Sequence, residues 1–89
     1  MSTDTAEDPP PDHTDEEVEG LRERLGLVRE TLRHHLKQLA IMGSAYAPPH
    51  VMHGIREARR EIAHLKRSLR SWGIAVADHP DDERGRGGR

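Results

Sequence analysis

The stretch from Tyr46 to Ile55, YAPPHVMHGI, contains the side chains of this sequence that are best suited to chemistry. His50 and His53 are three residues apart, so on a helix they share one side. Neutral imidazoles bind zinc, but a zinc site takes about three or four protein ligands. His34 and His35 lie in the preceding segment, and no carboxylate is placed to join the pair. The alternative is that both histidines simply occupy the first turn of a helix after a Pro-Pro corner.

No other group of residues indicates catalysis. The 89 residues include no cysteine, which excludes disulfides, thiolate zinc sites and cysteine nucleophiles. A phosphate-binding glycine loop, an HExxH pair and a GxSxG turn are also missing from the sequence. With 33% hydrophobic residues and no Phe, the chain fills only a small core and offers no deep pocket. We therefore predict a protein that is not an enzyme and that uses no metal, cofactor or small-molecule substrate.

Two predicted helices position these histidines. Thr14 and Glu17 match a capping box, which predicts that the first helix begins at about residue 15. Apolar residues then alternate at spacings of three and four, as in the heptads of a coiled coil, and Gly43 ends the helix at about residue 42. We call this apolar series and its counterpart on the second helix the seam. Its first half is Val18, Leu21, Leu25, Val28, Leu32, His35, Leu39 and Met42.

The second helix is predicted over residues 49–72. Pro49 suits the first helical position, where its missing N–H costs nothing, and Gly73 follows the last turn. The second half of the seam again alternates in threes and fours and is apolar throughout. Its members are Val51, Ile55, Ala58, Ile62, Leu65, Leu69, Trp72 and Val76.

The segment between the helices is predicted to be a corner. Pro48 favours an extended conformation for Ala47 and stops the first helix from continuing. Tyr46 could then lie over the end of the hairpin and shield Met42 and Val51. A short turn at residues 43–48 between two long amphipathic helices predicts an all-α, antiparallel, coiled-coil-like two-helix hairpin over residues 14–73.

His35 occupies a seam position, and two interpretations of it stay open. A single polar residue in a seam can set the register of the two helices. Protonation of an imidazole near neutral pH would instead place a charge in the seam and make the hairpin sensitive to pH.

Charge is distributed unevenly along the chain. Residues 1–17 contain seven acids and no base, whereas residues 18–72 have a net charge of +6. Residues 1–13 and the run DHPDDERGRGGR at residues 78–89 are poor in apolar groups. Disordered termini are therefore predicted over residues 1–13 and 74–89, with Ile74 and Val76 as a short apolar extension after the second helix. The Arg-rich face of the second helix suggests an alternative function, a small nucleic-acid-associated protein, although the interleaved aromatic residues of single-strand binders are missing.

The flanks of the seam indicate that the hairpin binds a protein. Arg22 and Arg29 on the first helix and Arg59 and Lys66 on the second occupy edges that meet in an antiparallel pair. Either another group therefore supplies anions there or the edge splays. Apolar residues off the seam would leave an exposed patch for a protein partner or for a second copy in a four-helix bundle. The predicted contact residues are Leu27, Leu36, Ile41, Tyr46, His50, Met52, Arg59 and Lys66.

Several of these residues also carry a resemblance to a known family. The pattern comprises Leu25, Leu32, Leu36, Gln38-Leu39-Ala40, Gly43, Tyr46-Ala47-Pro48-Pro49-His50, Gly54-Ile55, Arg59, Ile62 and Leu65-Lys66. Over residues 18–73 it resembles a short helical-hairpin module found in multidomain bacterial proteins of conflict and signalling systems, beside caspase-like, TIR, trypsin-like or NACHT/STAND-type ATPase domains. No effector or ATPase domain is recognised beside the hairpin in these 89 residues.

The resemblance implies that the hairpin is an adaptor that brings effector and sensor chains together. We therefore expect a non-catalytic protein–protein interaction module, an adaptor for a bacterial signalling or defence effector. The sequence has neither a basic, apolar secretion signal nor an apolar run of about 18–20 residues, so we expect a cytoplasmic protein without membrane contact.

Overall fold

The computed structural model describes residues 14–83, and this part of the chain is a hairpin of two helices with no strand. Helix α1 is Asp15–Met42, helix α2 is Pro49–Ser71, and a short 3-10 helix follows at Pro80–Asp82. The predicted all-α two-helix hairpin is confirmed. The predicted disordered arm at residues 1–13 and the last six residues of the predicted disordered tail lie outside the described part.

Local sequence signals account for both ends of the hairpin's turn and for the start of α1. The Glu17 N–H donates to Thr14 Oγ1 at 3.1 Å, and the Thr14 N–H donates to Glu17 Oε1 at 3.3 Å, so the capping box forms. Gly43 follows α1 with a φ of 84°, which favours glycine. Pro48 is extended, and Pro49 is the first residue of α2. YAPPH is therefore the corner of the hairpin.

Every hydrophobic side chain that is buried in the described part of the chain belongs to the seam. Leu32, Val51, Ile62 and Leu69 are completely buried. Leu25, Val28, Ile55, Ala58 and Leu65 complete the core. The alternation of threes and fours places one side chain per turn on the shared face, which explains why the buried set follows the seam.

Tyr46 does not shield the end of the hairpin as expected. Its side chain is 82% exposed, while the neighbouring Ala47 packs against the core. The turn is tightened by N–H groups of Tyr46 and Ala47 that both donate to the Gly43 carbonyl, at 3.1 and 3.0 Å. This turn leaves the phenol ring in solvent rather than over the core.

The largest departure from the sequence prediction is the segment at residues 74–83, which we call the strap. It was predicted to be disordered, but it returns along the hairpin. Gly73, with a φ of 83°, reverses the chain after α2, and the Ile74 N–H donates to the Leu69 carbonyl at 3.0 Å in a Schellman-type ending. Ile74 and Val76 then pack against the core. These apolar contacts, together with ion pairs from Asp78 and Asp82, hold residues 74–83 against the hairpin.

Candidate interaction surfaces

The hairpin has two different flanks. Successive helix residues are about 100° apart, so the two neighbours of a buried residue stand on opposite flanks. Arg29 follows buried Val28, and Arg59 follows buried Ala58; both bind the strap. Leu27 and Glu57 precede the same two buried residues and line a groove on the other side. We call these sides the strap flank and the open flank.

The centre of the strap flank is a buried carboxylate between cations from both helices. Asp82 is 3% exposed and Lys66 is 5% exposed. The Arg29 guanidinium donates to both oxygens of Asp82, at 3.0 Å from Nε to Oδ1 and 2.7 Å from Nη2 to Oδ2. Lys66 Nζ donates to Oδ2 at 2.9 Å, and the His79 N–H adds a fourth bond at 3.1 Å. Charge-assisted and bidentate bonds of this kind are the strong ones in proteins.

The same cations also bind the backbone of the strap. Arg29 donates to the Ala77 carbonyl at 2.9 Å, Arg59 to the Asp81 carbonyl at 3.0 Å, and Arg70 to the Val76 carbonyl at 2.9 Å. Asp78 is paired with Lys66 and Arg70. We call Arg29, Arg59, Lys66 and Arg70 the basic cradle. The anions that the like-charged edges require come from the chain itself.

The cradle fixes the ionisation of its carboxylates. Burial by itself raises the pKa of Asp82, but hydrogen bonds from Arg29, Lys66 and the His79 N–H outweigh it and lower the pKa from 3.8 to about 2. Hydrogen bonds from Lys66 and Arg70 likewise lower the pKa of Asp78. Burial alone lowers the pKa of Lys66, but the two aspartates more than reverse this and raise it. Each shift favours the charged pair.

We expect strong acid, and not a change of pH near neutrality, to release the strap. Because the folded pKa of Asp82 is depressed to about 2, its contribution is complete above about pH 4 and is lost as the pH falls towards 2. The shift corresponds to about 2 kcal/mol of stability. The raised pKa of Lys66 keeps its contribution intact below its ordinary value of 10.5 and removes it only at higher pH. Trp72, which packs against the core beside the strap, reports the change by fluorescence.

The matched control for this titration is Asp82→Asn. Its unfolding free energy should fall less between pH 4 and 2 than that of the wild-type chain, because the largest lowered pKa has been removed. Identical pH dependence in both proteins would contradict the assigned role of Asp82.

The strap changes the interpretation of two predicted contact residues. Lys66 is buried and held by two aspartates, so it is not part of an accessible contact surface in this conformation. Arg59 is half-buried and bound to a strap carbonyl. The face predicted to attract nucleic acid is correspondingly reduced, since Arg70 also binds the strap and Arg60 pairs with Glu57 at 2.7 Å.

The remaining predicted contact residues divide into two groups. Leu36 and Met52 are half-buried and pack against the core. Leu27 is 57% exposed and Ile41 is 77% exposed, and Tyr46 and His50 are also exposed. The exposed residues lie along the open flank and at the turn end, so this region presents accessible apolar surface.

The open flank has polar groups around its apolar centre. Arg24 Nε on α1 donates to Glu61 Oε2 on α2 at 2.6 Å across the groove. Leu27, Thr31, His35, Gly54 and Ala58 line the groove beside this ion pair. Both side chains of the pair are substantially exposed, so the ion pair contributes little to stability. It places one positive and one negative charge at the border of the groove.

The histidines that opened the metal hypothesis are not gathered into a site. His50 and His53 are exposed on the first turn of α2, and His53 Nε2 lies 3.8 Å from Glu57 Oε2. Within residues 14–83, no three His, Asp or Glu side chains converge in a way that could hold a metal ion.

His35 packs directly on a glycine of the opposite helix. A Cβ added at Gly54 would lie 2.5 Å from His35 Nε2, closer than any normal contact, so glycine permits the approach of the ring. His35 Nδ1 is buried and has no hydrogen-bond partner among the described residues. The contact joins one position on each helix and so supports a role in register; the pH-sensing alternative stays a prediction.

We expect Gly54→Ala to lower the free energy of unfolding in the wild-type chain and to raise it in a His35→Ala background. In the wild-type chain the new methyl group meets the His35 ring, and overpacking of this kind costs about 1–3 kcal/mol. In a His35→Ala background the space is free, and Ala should stabilise α2 by about 1 kcal/mol through helix propensity. Urea denaturation of the four proteins gives the coupling energy. A coupling near zero would show that the ring moves aside freely.

Asp78, Asp82 and Arg29 are the residues that the sequence interpretation failed to assign to a site. The available signals were the like-charged edges of the hairpin and the apolar pair Ile74 and Val76 directly before an acidic run. Together these signals indicate a segment whose apolar and acidic side chains suit binding to the basic edge of the hairpin.

Comparison of the chain with protein-family models, curated proteins and solved structures found no match. No helix in the described part of the chain has the length and apolar character required to cross a membrane.

Proposed function

We propose that this protein is a non-catalytic protein–protein interaction module, an adaptor for a bacterial signalling or defence effector that works in the cytoplasm. The observation that supports this proposal is the asymmetry of the hairpin. One flank is covered by the strap, while the other flank and the turn end expose Leu27, Ile41 and Tyr46. Apolar groups left exposed along one side of a small protein are the kind of surface that a partner covers.

The composition of the open flank fits a protein partner. Its apolar centre at Leu27 is edged by the Arg24–Glu61 pair, and protein interfaces combine an apolar centre with a polar rim in this way. The turn end adds an exposed tyrosine, a residue type enriched in interface contacts. The resemblance of residues 18–73 to adaptor hairpins of bacterial conflict systems supports the same proposal.

Affinity purification with a charge-matched pair of variants tests the proposal. A tagged chain is recovered from its host after mild cross-linking, and co-purifying proteins are quantified by mass spectrometry. Leu27→Glu combined with Ile41→Glu should reduce recovery of a specific partner at least ten-fold, because acids enter an apolar interface. Lys37→Glu, at an exposed position of the same helix, should leave recovery unchanged. Partner recovery that is insensitive to the first variant would refute the proposed surface.

Light scattering of the purified chain over a range of concentrations separates the two kinds of partner. A stable dimer that the Leu27→Glu variant dissociates would identify a second copy as the occupant, in a four-helix bundle. A monomer would direct the search to another protein.

A further inference from the structure

We propose that the basic cradle is a binding site for an acidic segment of a protein partner, and that the strap occupies it as an intramolecular competitor. This inference rests on the proposed function as an interaction module and gives it a second surface. The partner segment would carry two carboxylates four positions apart with a short turn between them, preceded by apolar residues such as Ile74 and Val76. Those are the features that residues 74–82 present to the cradle.

The first reason is that the cradle concentrates positive charge along one edge of the hairpin. All of its residues contact the strap there, and Lys66 is 5% exposed beneath it. When the strap leaves, these cations lose the carboxylates of Asp78 and Asp82 and keep only water as a partner. Like charges that meet at an edge favour an acidic group there, whichever chain supplies it.

The second reason is that the cradle binds the strap as proteins bind peptides. Three arginines donate to three strap carbonyls, and the two aspartates each meet two cations. Backbone carbonyl contacts are independent of side-chain identity, so another segment that follows the same path, including the 3-10 turn at Pro80–Asp82, can make them. Specificity is left to the two carboxylate positions and to the contacts of Ile74 and Val76.

The third reason is that the strap is lightly held outside these contacts. Within residues 77–80 every residue is exposed, and Asp82 is the only buried residue of the strap. The strap joins α2 through Gly73, whose φ of 83° a glycine can abandon without strain. A competitor joined by so short a connection acts at an effective concentration of about millimolar. A partner segment therefore displaces the strap only if its concentration and affinity together exceed those of the strap.

A labelled peptide tests this inference. The probe is fluorescein-labelled GIAVADHPDDE, which corresponds to residues 73–83. It should bind the full chain carrying Asp78→Asn and Asp82→Asn at least ten-fold more tightly than the wild-type chain, because the internal competitor is weakened. A control peptide with the residues that correspond to Asp78 and Asp82 changed to asparagine should bind at least ten-fold more weakly. Adding Lys66→Gln to the double variant should abolish binding of the acidic peptide.

A second variant protects the test against misfolding. Four Gly/Ser residues inserted after Gly73 keep every side chain and lower the effective concentration of the strap, so this chain should also bind the peptide more tightly than wild type. Circular dichroism verifies the helices in each protein. Equal peptide binding by all proteins, or binding that persists without Lys66, would overturn the inference.

Two further measurements separate this inference from its rivals. A fluorescent single-stranded DNA that binds the weakened-strap chain more tightly than the peptide, with the same dependence on Lys66, would replace the acidic partner with nucleic acid. If the peptide fails while Leu27→Glu with Ile41→Glu still abolishes partner recovery, the cradle inference falls and the proposed function stands.

Discussion

Asp82→Asn is expected to lower the free energy of unfolding by about 2 kcal/mol and to free the strap. The substitution keeps the shape of the side chain but removes the negative charge that Arg29 and Lys66 share. Asparagine keeps one acceptor oxygen where the carboxylate has two, and its amide NH₂ group, a donor, then faces a cation. Chemical denaturation and amide hydrogen exchange in residues 74–83 measure the two effects.

The size of this effect has an upper limit. Breaking a buried ion pair by removing one partner costs about 3–5 kcal/mol when the remaining charge stays buried. Here the strap can detach, which lets Lys66 regain water. The loss therefore cannot exceed the free energy with which the strap docks.

Asp81→Asn is the matched control for Asp82→Asn. Asp81 is the neighbouring residue. Its carboxylate is exposed and lies 3.9 Å from His79 Nδ1, while its backbone carbonyl accepts from Arg59. A change within about 0.5 kcal/mol is expected, as for most surface substitutions. If both asparagine variants lose the same stability, net charge rather than the cradle is responsible.

The helices and their corner could be predicted because each depends on local chemistry. Thr14 and Glu17 cap α1 through bonds between residues three apart, and Pro48 and Pro49 act through their own ring geometry. The seam likewise needs only its spacing to define a shared face. These signals are independent of the rest of the fold, so sequence alone contains them.

The strap could not be predicted in this way because its stability comes from groups far apart in the sequence. Arg29 and Asp82 are 53 residues apart, and each is unremarkable in its own neighbourhood. Residues 78–83 are acidic or polar apart from Pro80, and the apolar run before them is only four residues long, so composition alone favours disorder. The like charges of Arg29, Arg59 and Lys66 indicated that anions were needed, but spacing does not say which segment supplies them.

The candidate contact surface was also predicted only in part, because the surroundings of some of its residues depend on segments that are distant in the sequence. Leu27 and Ile41 are off the seam, and their exposure follows directly from helix geometry. Lys66 is also off the seam, yet it is buried because the strap covers it. Tyr46 depends on the path of the turn, which the Gly43 carbonyl bonds determine.

Leu32→Ala is expected to lower the free energy of unfolding by about 3 kcal/mol, a loss typical of leucine truncation in a core. Leu32 is completely buried at the centre of the seam, and a small domain has few other contacts with which to fill the space. Leu27→Ala makes the same chemical change on the same helix at a side chain that is 57% exposed, so a loss within about 0.5 kcal/mol is expected. Thermal and urea denaturation followed by circular dichroism compare them.

The comparison also bears on the proposed interaction surface. If Leu27 serves binding rather than folding, Leu27→Ala should leave stability unchanged while it reduces partner recovery, whereas Leu32→Ala should reduce both together. Stability should also be measured at protein concentrations below and above the one at which the chain associates. A loss of stability in Leu27→Ala that grows with protein concentration would place Leu27 at an interface between two copies, since only the associated form uses that contact.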